Sequence, residues 1–447
     1  EEESPLTSDG ELQPMTSNAT TMIGADQLNA TGFTGKGMKV AILDTGIVVD
    51  HPNFGALSED KLTESSLTKE GVDAIWNTLN AGQMTSLRNR SYYNSKLPFI
   101  FNYYTRDFDV SHATAKHDHG THVAGIAAAN RYVPHYDADG DLYYDKQELG
   151  VTGVAPDAQL VVMKVFGVGG GAYSSDYMAA IEDAIWLNCD SVNLSLGSST
   201  SGFSRVREDF KAVMDSLTEH GVAVCISAGN SSDWASNSVS GVPYLYDNEI
   251  SLQTDGSPGS FTNSLTVASV NNSGLTGSFF TVGEYSVFYN ETSYKNAALT
   301  TLAGDHDYVI LPAGVAGAPA DYEGIDVAGK VVFVQRGVIP FTEKGDNAVA
   351  KGAIATIVYN NQPGAINMDL TAYKATAPCV SISQTDGKAI WAASTQAADG
   401  KYATGRMNIR SGVGTGQLNA EFYTMSDFSS WGIPGSLELK PEITAPG

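Results

Sequence analysis

Between Lys39 and Ser269, short runs of apolar, β-branched residues alternate with small-residue stretches at helical spacing. Strands are predicted at Lys39 to Leu43, Leu160 to Val165, Val192 to Leu196 and Val222 to Ser227, and helices at His119 to Ala129, Ser175 to Leu187 and Phe203 to His220. Continuous apolar strands separated by helices require a parallel sheet buried on both faces, so the predicted fold class is α/β, a doubly wound parallel sheet. In such sheets functional groups gather beyond the carboxyl ends of the strands. Asp44, Ser195 and Asn230 each sit at or just past such an end.

The texture changes from about Phe280 to Arg410, where short strands (Val309 to Leu311, Val331 to Gln335, Ala355 to Tyr359) are separated by Gly, Pro and Asp turns, with one amphipathic helix at Thr342 to Gly352. This predicts a small β-rich inserted domain at 286–405. It would interrupt a larger domain whose first part is 15–285 and whose continuation is 406–447, after a flexible acidic tail at 1–14. A chain of 447 residues exceeds what one ordinary core supports, which agrees with this division. The formal net charge of −24 argues against nucleic acid as a partner, because phosphates need a basic surface. Three cysteines provide no disulfide framework, and Cys189 and Cys225 read as buried thiols beside apolar runs. No apolar stretch approaches the ~18 residues of a membrane span.

Two motifs carry chemistry. A hydrolase with a serine or cysteine nucleophile needs a base to take its proton and a carboxylate to hold that base in the right tautomer. Asp44, after a strand, and His119, opening a helix, suit those roles. Gly120, Ala124, Gly125, Ala127, Ala128 and Ala129 would let that helix approach the sheet closely and fix the imidazole. The series His117, His119, His122 also has the look of a zinc site, but Thr121 stands where such sites usually place an acid, and the Asp44 and Asn230 motifs would go unexplained.

Four separated motifs, Asp44-Thr45-Gly46, His119-Gly120-Thr121-His122, Ser195-Leu196-Gly197 and Ser227-Ala228-Gly229-Asn230, resemble those of the subtilisin-like serine proteases, in the family's order. The resemblance implies a subtilisin-like endopeptidase acting on protein or peptide substrates, with Asp44 as the triad carboxylate, His119 as the base and Asn230 as the oxyanion-hole donor. It implies that Ser195, Leu196 and Gly197 face Ser227, Ala228 and Gly229 across the pocket for the residue before the scissile bond. Gly169, Gly170 and Gly171 would form the edge that pairs with substrate backbone. The stretch from Val327 to Asn361 resembles a protease-associated (PA) domain, and its position resembles the group of lactocepin and the streptococcal complement-cleaving peptidases. That group implies a secreted or cell-surface bacterial protein.

The family's nucleophile lies in a Gly-Thr-Ser-Met-Ala motif after a segment like Lys440 to Gly447, and that motif does not occur in this sequence. Ser195, Ser227 and Ser429 belong to other matched motifs. The expectation is therefore a second polypeptide, or a C-terminal remainder, that carries the serine. The alternative is a non-catalytic subtilase-derived module used for binding or adhesion. The expected cofactor is Ca²⁺: from Asp137 to Glu148 the acids Asp137, Asp139, Asp141, Asp145 and Glu148 occupy positions 1, 3, 5, 9 and 12 of an EF-hand-like loop. Tyr143 would contribute at position 7, and Leu142 departs from the usual glycine at position 6.

Overall fold

The computed structural model describes residues 17–112, 118–137, 139–149, 151–167, 170–197, 208–230, 255–292, 296–362, 366, 368–417, 423–426, 428–433 and 438–447. The tail at 1–14, His117, Gly169 and the start of the helix expected at Phe203 lie outside the described residues. The chain divides into two compact units, one formed by residues 275–417 and the other by the chain on either side of them.

In the larger unit, α1 (Ser17–Met22) and α2 (Ala25–Ala30) lead into β1 (Lys39–Asp44), and α3 (Lys69–Ile75) and α4 (Asn80–Met84) precede β2 (Phe99–Asn102). Then come α5 (His119–Ala128), the hairpin of β3 (Tyr132–Tyr136) and β4 (Leu142–Leu149), β5 (Gln159–Lys164), α6 (Ser174–Trp186), β6 (Ser191–Leu194), α7 (Glu208–Glu219), β7 (Ala223–Ser227) and β8 (Leu265–Val270). Strand β1 is held in parallel on both sides, by β5 from Lys39↔Gln159 to Asp44↔Lys164 and by β6 from Val40↔Ser191. Its apolar residues are buried on both faces, as a doubly wound sheet demands. Ala124 and Ala128 of α5 pack on one face with Ile42, Leu160 and Val162. Helices α6 and α7 cover the other, where Ala180, Ala184, Met214 and Leu217 meet Ala41, Leu43, Val161 and Met163.

The smaller unit contains β9 (Gly274–Val282), β10 (Tyr285–Phe288), β11 (Asn290–Glu291), β12 (Gly304–Ile310), β13 (Val331–Gln335), α8 (Phe341–Ala350), β14 (Ala355–Tyr359), β15 (Cys379–Ile382), α9 (Gln384–Ala393), β16 (Thr395–Gln396) and β17 (Ala403–Gln417). Its main sheet runs in the order β10-β9-β17-β12-β13-β14-β15-β11, with β12 to β15 parallel. The expected 286–405 lies inside this unit, and the boundary expected after 405 falls within β17. Both β9 and β17 are rich in Gly, Ser and Thr, so their sequences carry little of the apolar signal that marks a strand.

Beyond the insertion, β18 (Ile443–Pro446) pairs in parallel with β8, from Ile443↔Val267 to Pro446↔Val270. This completes a seven-stranded sheet in the order β18-β8-β7-β6-β1-β5-β2. The buried Lys440 seats the last strand: its ammonium donates to the Ser264 carbonyl at 2.7 Å and to the Ser264 and Thr266 hydroxyls at 3.2 Å, and it pairs with Glu442. Where the chain leaves for the insertion and returns, Asn271 N donates to Thr424 O at 2.8 Å, Tyr423 N to Asn271 O at 3.1 Å and Ser426 N to Ser269 O at 2.9 Å. Among the described residues no helix is long and apolar enough to cross a membrane.

Candidate active site

Asp44 ends β1 and His119 opens α5, and the fold joins them directly. The His119 Nδ1 lies 2.8 Å from Asp44 Oδ1 and 3.0 Å from Oδ2. The carboxylate is held from below by Thr45 N, which donates to Oδ1 at 2.7 Å. Asp44 is 1 % exposed and His119 53 %, so the carboxylate is shielded while half of the imidazole is open to a reactant. Two threonine hydroxyls fix the helix: Gly120 N donates to Thr45 Oγ1 at 3.0 Å, and Val48 N donates to Thr121 Oγ1 at 3.1 Å. Gly120 is required by the close approach, since a Cβ there would lie 2.2 Å from the Gly46 carbonyl oxygen.

The hydrogen bond to Asp44 raises the His119 pKa above its ordinary value, with burial acting in the opposite direction. His122, one turn along, is pushed the other way by burial and by the neighbouring imidazole. The two histidines of the motif are therefore set apart, one inclined to hold a proton beside a carboxylate and the other inclined to stay neutral.

The remaining candidate residues lie along the same carboxyl rim. Ser195 follows β6 and accepts a hydrogen bond at 3.0 Å from Asn193 Nδ2. Gly197 sits where a Cβ would come 3.0 Å from Ser257 O. Ser227 ends β7, and the buried Ala228 donates its N–H to Val267 O at 2.9 Å and accepts from Gly256 N at 2.7 Å. Gly229 takes φ +112°, a left-handed conformation that releases the chain from the strand. The segment from Asp255 to Ser257 thus touches both stretches, Ser195 to Gly197 and Ser227 to Gly229. Asp255 is fully buried there, and burial pushes its carboxyl up to about 7. Asn230 is exposed directly after this turn. After β5, Gly167 N donates to Gly171 O at 3.0 Å and Phe166 forms an antiparallel bridge with Ala172, and no atom lies within 4 Å of where a Cβ would stand on Gly170 or Gly171.

The acidic segment takes a form the sequence pattern does not anticipate. Asp137, Asp139 and Asp141 form the tip of the β3–β4 hairpin, where Asp137 Oδ1 accepts from the backbone N–H groups of Asp139 and Asp141, both at 2.9 Å. Leu142, at the position where an EF-hand-like loop needs a glycine, opens β4 instead. Tyr143 stacks on His135 with ring centroids 5.6 Å apart, and Asp145 and Glu148 lie further along the strand. A strand advances about 3.3 Å per residue, so the backbone at positions 9 and 12 runs along β4, away from the tip. Among the described residues no group of three or more His, Cys, Asp or Glu side chains gathers as a metal site.

The sequence profile of the Subtilase family matches residues 35–447. The chain is a subtilase. Among its relatives, the PI-type proteinase of Lactococcus lactis subsp. cremoris is 33% identical over 433 residues, covering 93% of this chain and 21% of the relative. The minor extracellular protease Vpr of Bacillus subtilis is 28% identical, covering 98% of this chain and 44% of the relative. The C5a peptidase of Streptococcus pyogenes serotype M3 is 26% identical, covering 92% and 32% respectively. The chain thus spans less than half the length of each of these relatives.

Several residues that organise the subtilase site are not marked by sequence reasoning as functional. The hydroxyls of Thr45 and Thr121 lie inside the quoted motifs; Thr45 satisfies a helix-start N–H and Thr121 the loop N–H of Val48. Ser429 and Ser430 are buried and hold neighbouring backbone: Ser269 N donates to the Ser429 hydroxyl at 2.9 Å, and Ser430 N donates to Gly229 O at 3.0 Å. Lys440 and Asp255 are far from the dyad in sequence and carry no local signal.

Proposed function

We propose that this subtilase is an endopeptidase that cleaves protein or peptide substrates by serine charge relay. The observation that carries the reading is the 2.8 Å contact between the buried Asp44 and a half-exposed His119. In this mechanism His119 takes the proton from a serine hydroxyl as it attacks the peptide carbonyl, then gives it to the leaving amine. Asp44 holds Nδ1 protonated and stabilises the imidazolium. The Asn230 amide and a backbone N–H receive the developing oxyanion, a contact whose loss costs on the order of 10² to 10³ in rate. Substrate backbone adds as a strand along Gly169 to Gly171, and the side chain before the scissile bond enters between Ser195-Leu196-Gly197 and Ser227-Ala228-Gly229.

The serine belongs, in this reading, to residues beyond 447 or to a second polypeptide. Strand β18 is parallel to β8, so its carboxyl end lies at the same rim as Ser227. The inserted unit is a PA-like domain acting in substrate access, and the protein works outside the cell or at its surface. A chain extended past Gly447 should be labelled at one serine by a fluorophosphonate and lose its peptidase activity in proportion. Inhibition by a chelator without labelling, or an inert chain with another residue in place of the serine, would overturn the assignment.

Ca²⁺ at the acidic segment of Asp137, Asp139, Asp141, Tyr143, Asp145 and Glu148 is a separate proposal, supported by the spacing of its acids along the sequence. Calorimetric titration should give saturable heat that Asp139→Asn weakens, with a higher melting temperature in excess calcium, since a ligand of the folded state stabilises it. A titration without heat and a melting curve indifferent to calcium would remove it.

A further inference from the structure

The segment between β5 and α6, which carries the candidate substrate edge, has few side chains of its own to hold it. Four glycines, Gly167, Gly169, Gly170 and Gly171, fall between Phe166 and Tyr173. Its internal ties are the bonds from Gly167 N to Gly171 O and from Gly170 N to Gly167 O, both at 3.0 Å, and the bridge between Phe166 and Ala172. Glycine loses more conformational freedom on ordering than any other residue, so contacts from outside matter most for a segment of this composition.

The loop after β2 supplies such contacts at both feet of the segment. At the first foot the Tyr104 ring occupies the space beside Gly167, where a Cβ would come 2.3 Å from Tyr104 Cζ. At the second, the same ring stacks on Tyr173, with centroids 5.7 Å apart and planes 5° apart. Two residues along the loop, Arg106 Nη2 donates to Asp176 Oδ1 at 2.9 Å. Asp176 stands in the first turn of α6 and is 1 % exposed, so loss of the guanidinium would leave a buried charge. Arg106 takes φ +65°, a left-handed conformation that residues with a side chain seldom adopt. The loop is itself anchored to the two elements that the glycine segment joins. Tyr103 is buried, its N–H donates to Lys164 O of β5 at 2.8 Å, and its hydroxyl donates to Asp183 Oδ2 of α6 at 2.7 Å. Asn102 holds the turn, its side chain accepting from Tyr104 N and Thr105 N at 3.1 Å and its carbonyl from Arg106 N at 2.9 Å.

We propose that Tyr104 and Arg106 are positioning residues for the substrate edge: the loop after β2 braces the glycine segment in the form that receives substrate backbone. An edge already in order spares the complex the entropy of ordering it, so the brace sets how much a peptide gains from residues ahead of the scissile bond. Tyr104 braces through Gly167 and Tyr173, and Arg106 through Asp176 at the start of α6. This inference rests on the endopeptidase reading for its purpose, and on the chain alone for the first of its two tests.

The first test is hydrogen exchange of this chain, followed by mass spectrometry. Tyr104→Ala, at an exposed position, removes the ring from Gly167 and Tyr173. The double variant Arg106→Gln, Asp176→Asn removes the ion pair without leaving a buried carboxylate alone. Each should speed exchange across Phe166 to Tyr173 about tenfold, while β6 and β7, on the other side of β1, exchange as in the parent. The second test is kinetic, on a chain extended past Gly447. A peptide with four residues before the scissile bond should lose about tenfold more kcat/KM in each variant than a single-residue ester does. Arg106→Lys, which keeps a charged donor opposite Asp176, should fall between the parent and the double variant. Exchange unchanged in either variant, faster exchange shared by β6 and β7, or equal losses on the two substrates would overturn the proposal. An extended chain that cleaves neither substrate while exchange responds as expected would refute only the endopeptidase reading.

Discussion

Replacing His119 by alanine in a form of the protein that carries the nucleophile is expected to lower kcat by on the order of 10⁶. The effect is that large because base, carboxylate and nucleophile act as one unit: without the imidazole nothing accepts the serine proton, and the 2.8 Å contact to Asp44 has no further use. Thermal unfolding followed by circular dichroism should change little. Half of the His119 side chain already faces solvent, and the buried Asp44 keeps the hydrogen bond from Thr45 N at 2.7 Å. Substantial residual serine-protease activity in this variant would refute the assignment of the base.

The second prediction concerns the carboxylate. Asp44→Asn conserves shape and keeps an acceptor oxygen for Thr45 N, yet kcat should fall by on the order of 10⁴, because an amide can hold the imidazole in the wrong tautomer and cannot balance the imidazolium charge. The pH profile gives an independent check. His119 works as a base only when neutral, so kcat/KM rises with pH through its pKa, which Asp44 raises above the ordinary imidazole value. With Asp44 neutralised that support is lost, burial still acts, and the rising limb should move to lower pH. A profile unchanged from the parent protein would mean that Asp44 does not govern His119.

Much of this organisation is legible in the sequence because it rests on local requirements. A run such as Lys39 to Leu43, apolar at every position after the first and followed by helical stretches, reads as a strand of a parallel sheet buried on both faces, and β1 is found there. Asp44 and His119 are marked in the sequence by the resemblance of their motifs to those of the subtilases, and the fold brings the two side chains within 2.8 Å. The limits of the insertion are less legible: β9 and β17 are held by pairing with neighbours rather than by apolar content, and pairing partners are not written in a local window. The acidic hairpin shows the reverse problem. Its spacing imitates a loop, but Leu142, Tyr143 and Tyr144 favour an extended strand, and the backbone follows them. Asp255 feels the charge of Lys440 across 185 residues of sequence, a distance at which only the folded chain reveals that burial raises the Asp255 carboxyl.

The hydrogen bonds joining Asn271 to Tyr423 and Thr424, and Ser269 to Ser426, have a consequence for how such a chain can diversify. They hold the two ends of the excursion together within the larger unit, so to that unit residues 275–417 amount to a closed loop of fixed span. The entropy of closing a loop grows only with the logarithm of its length, so lengthening or exchanging what hangs from a pinned neck places little thermodynamic burden on the host. A whole accessory body can thus be grafted, enlarged or replaced at this point while the register of β8 and β18, and with it the rim of the sheet, stays as it is.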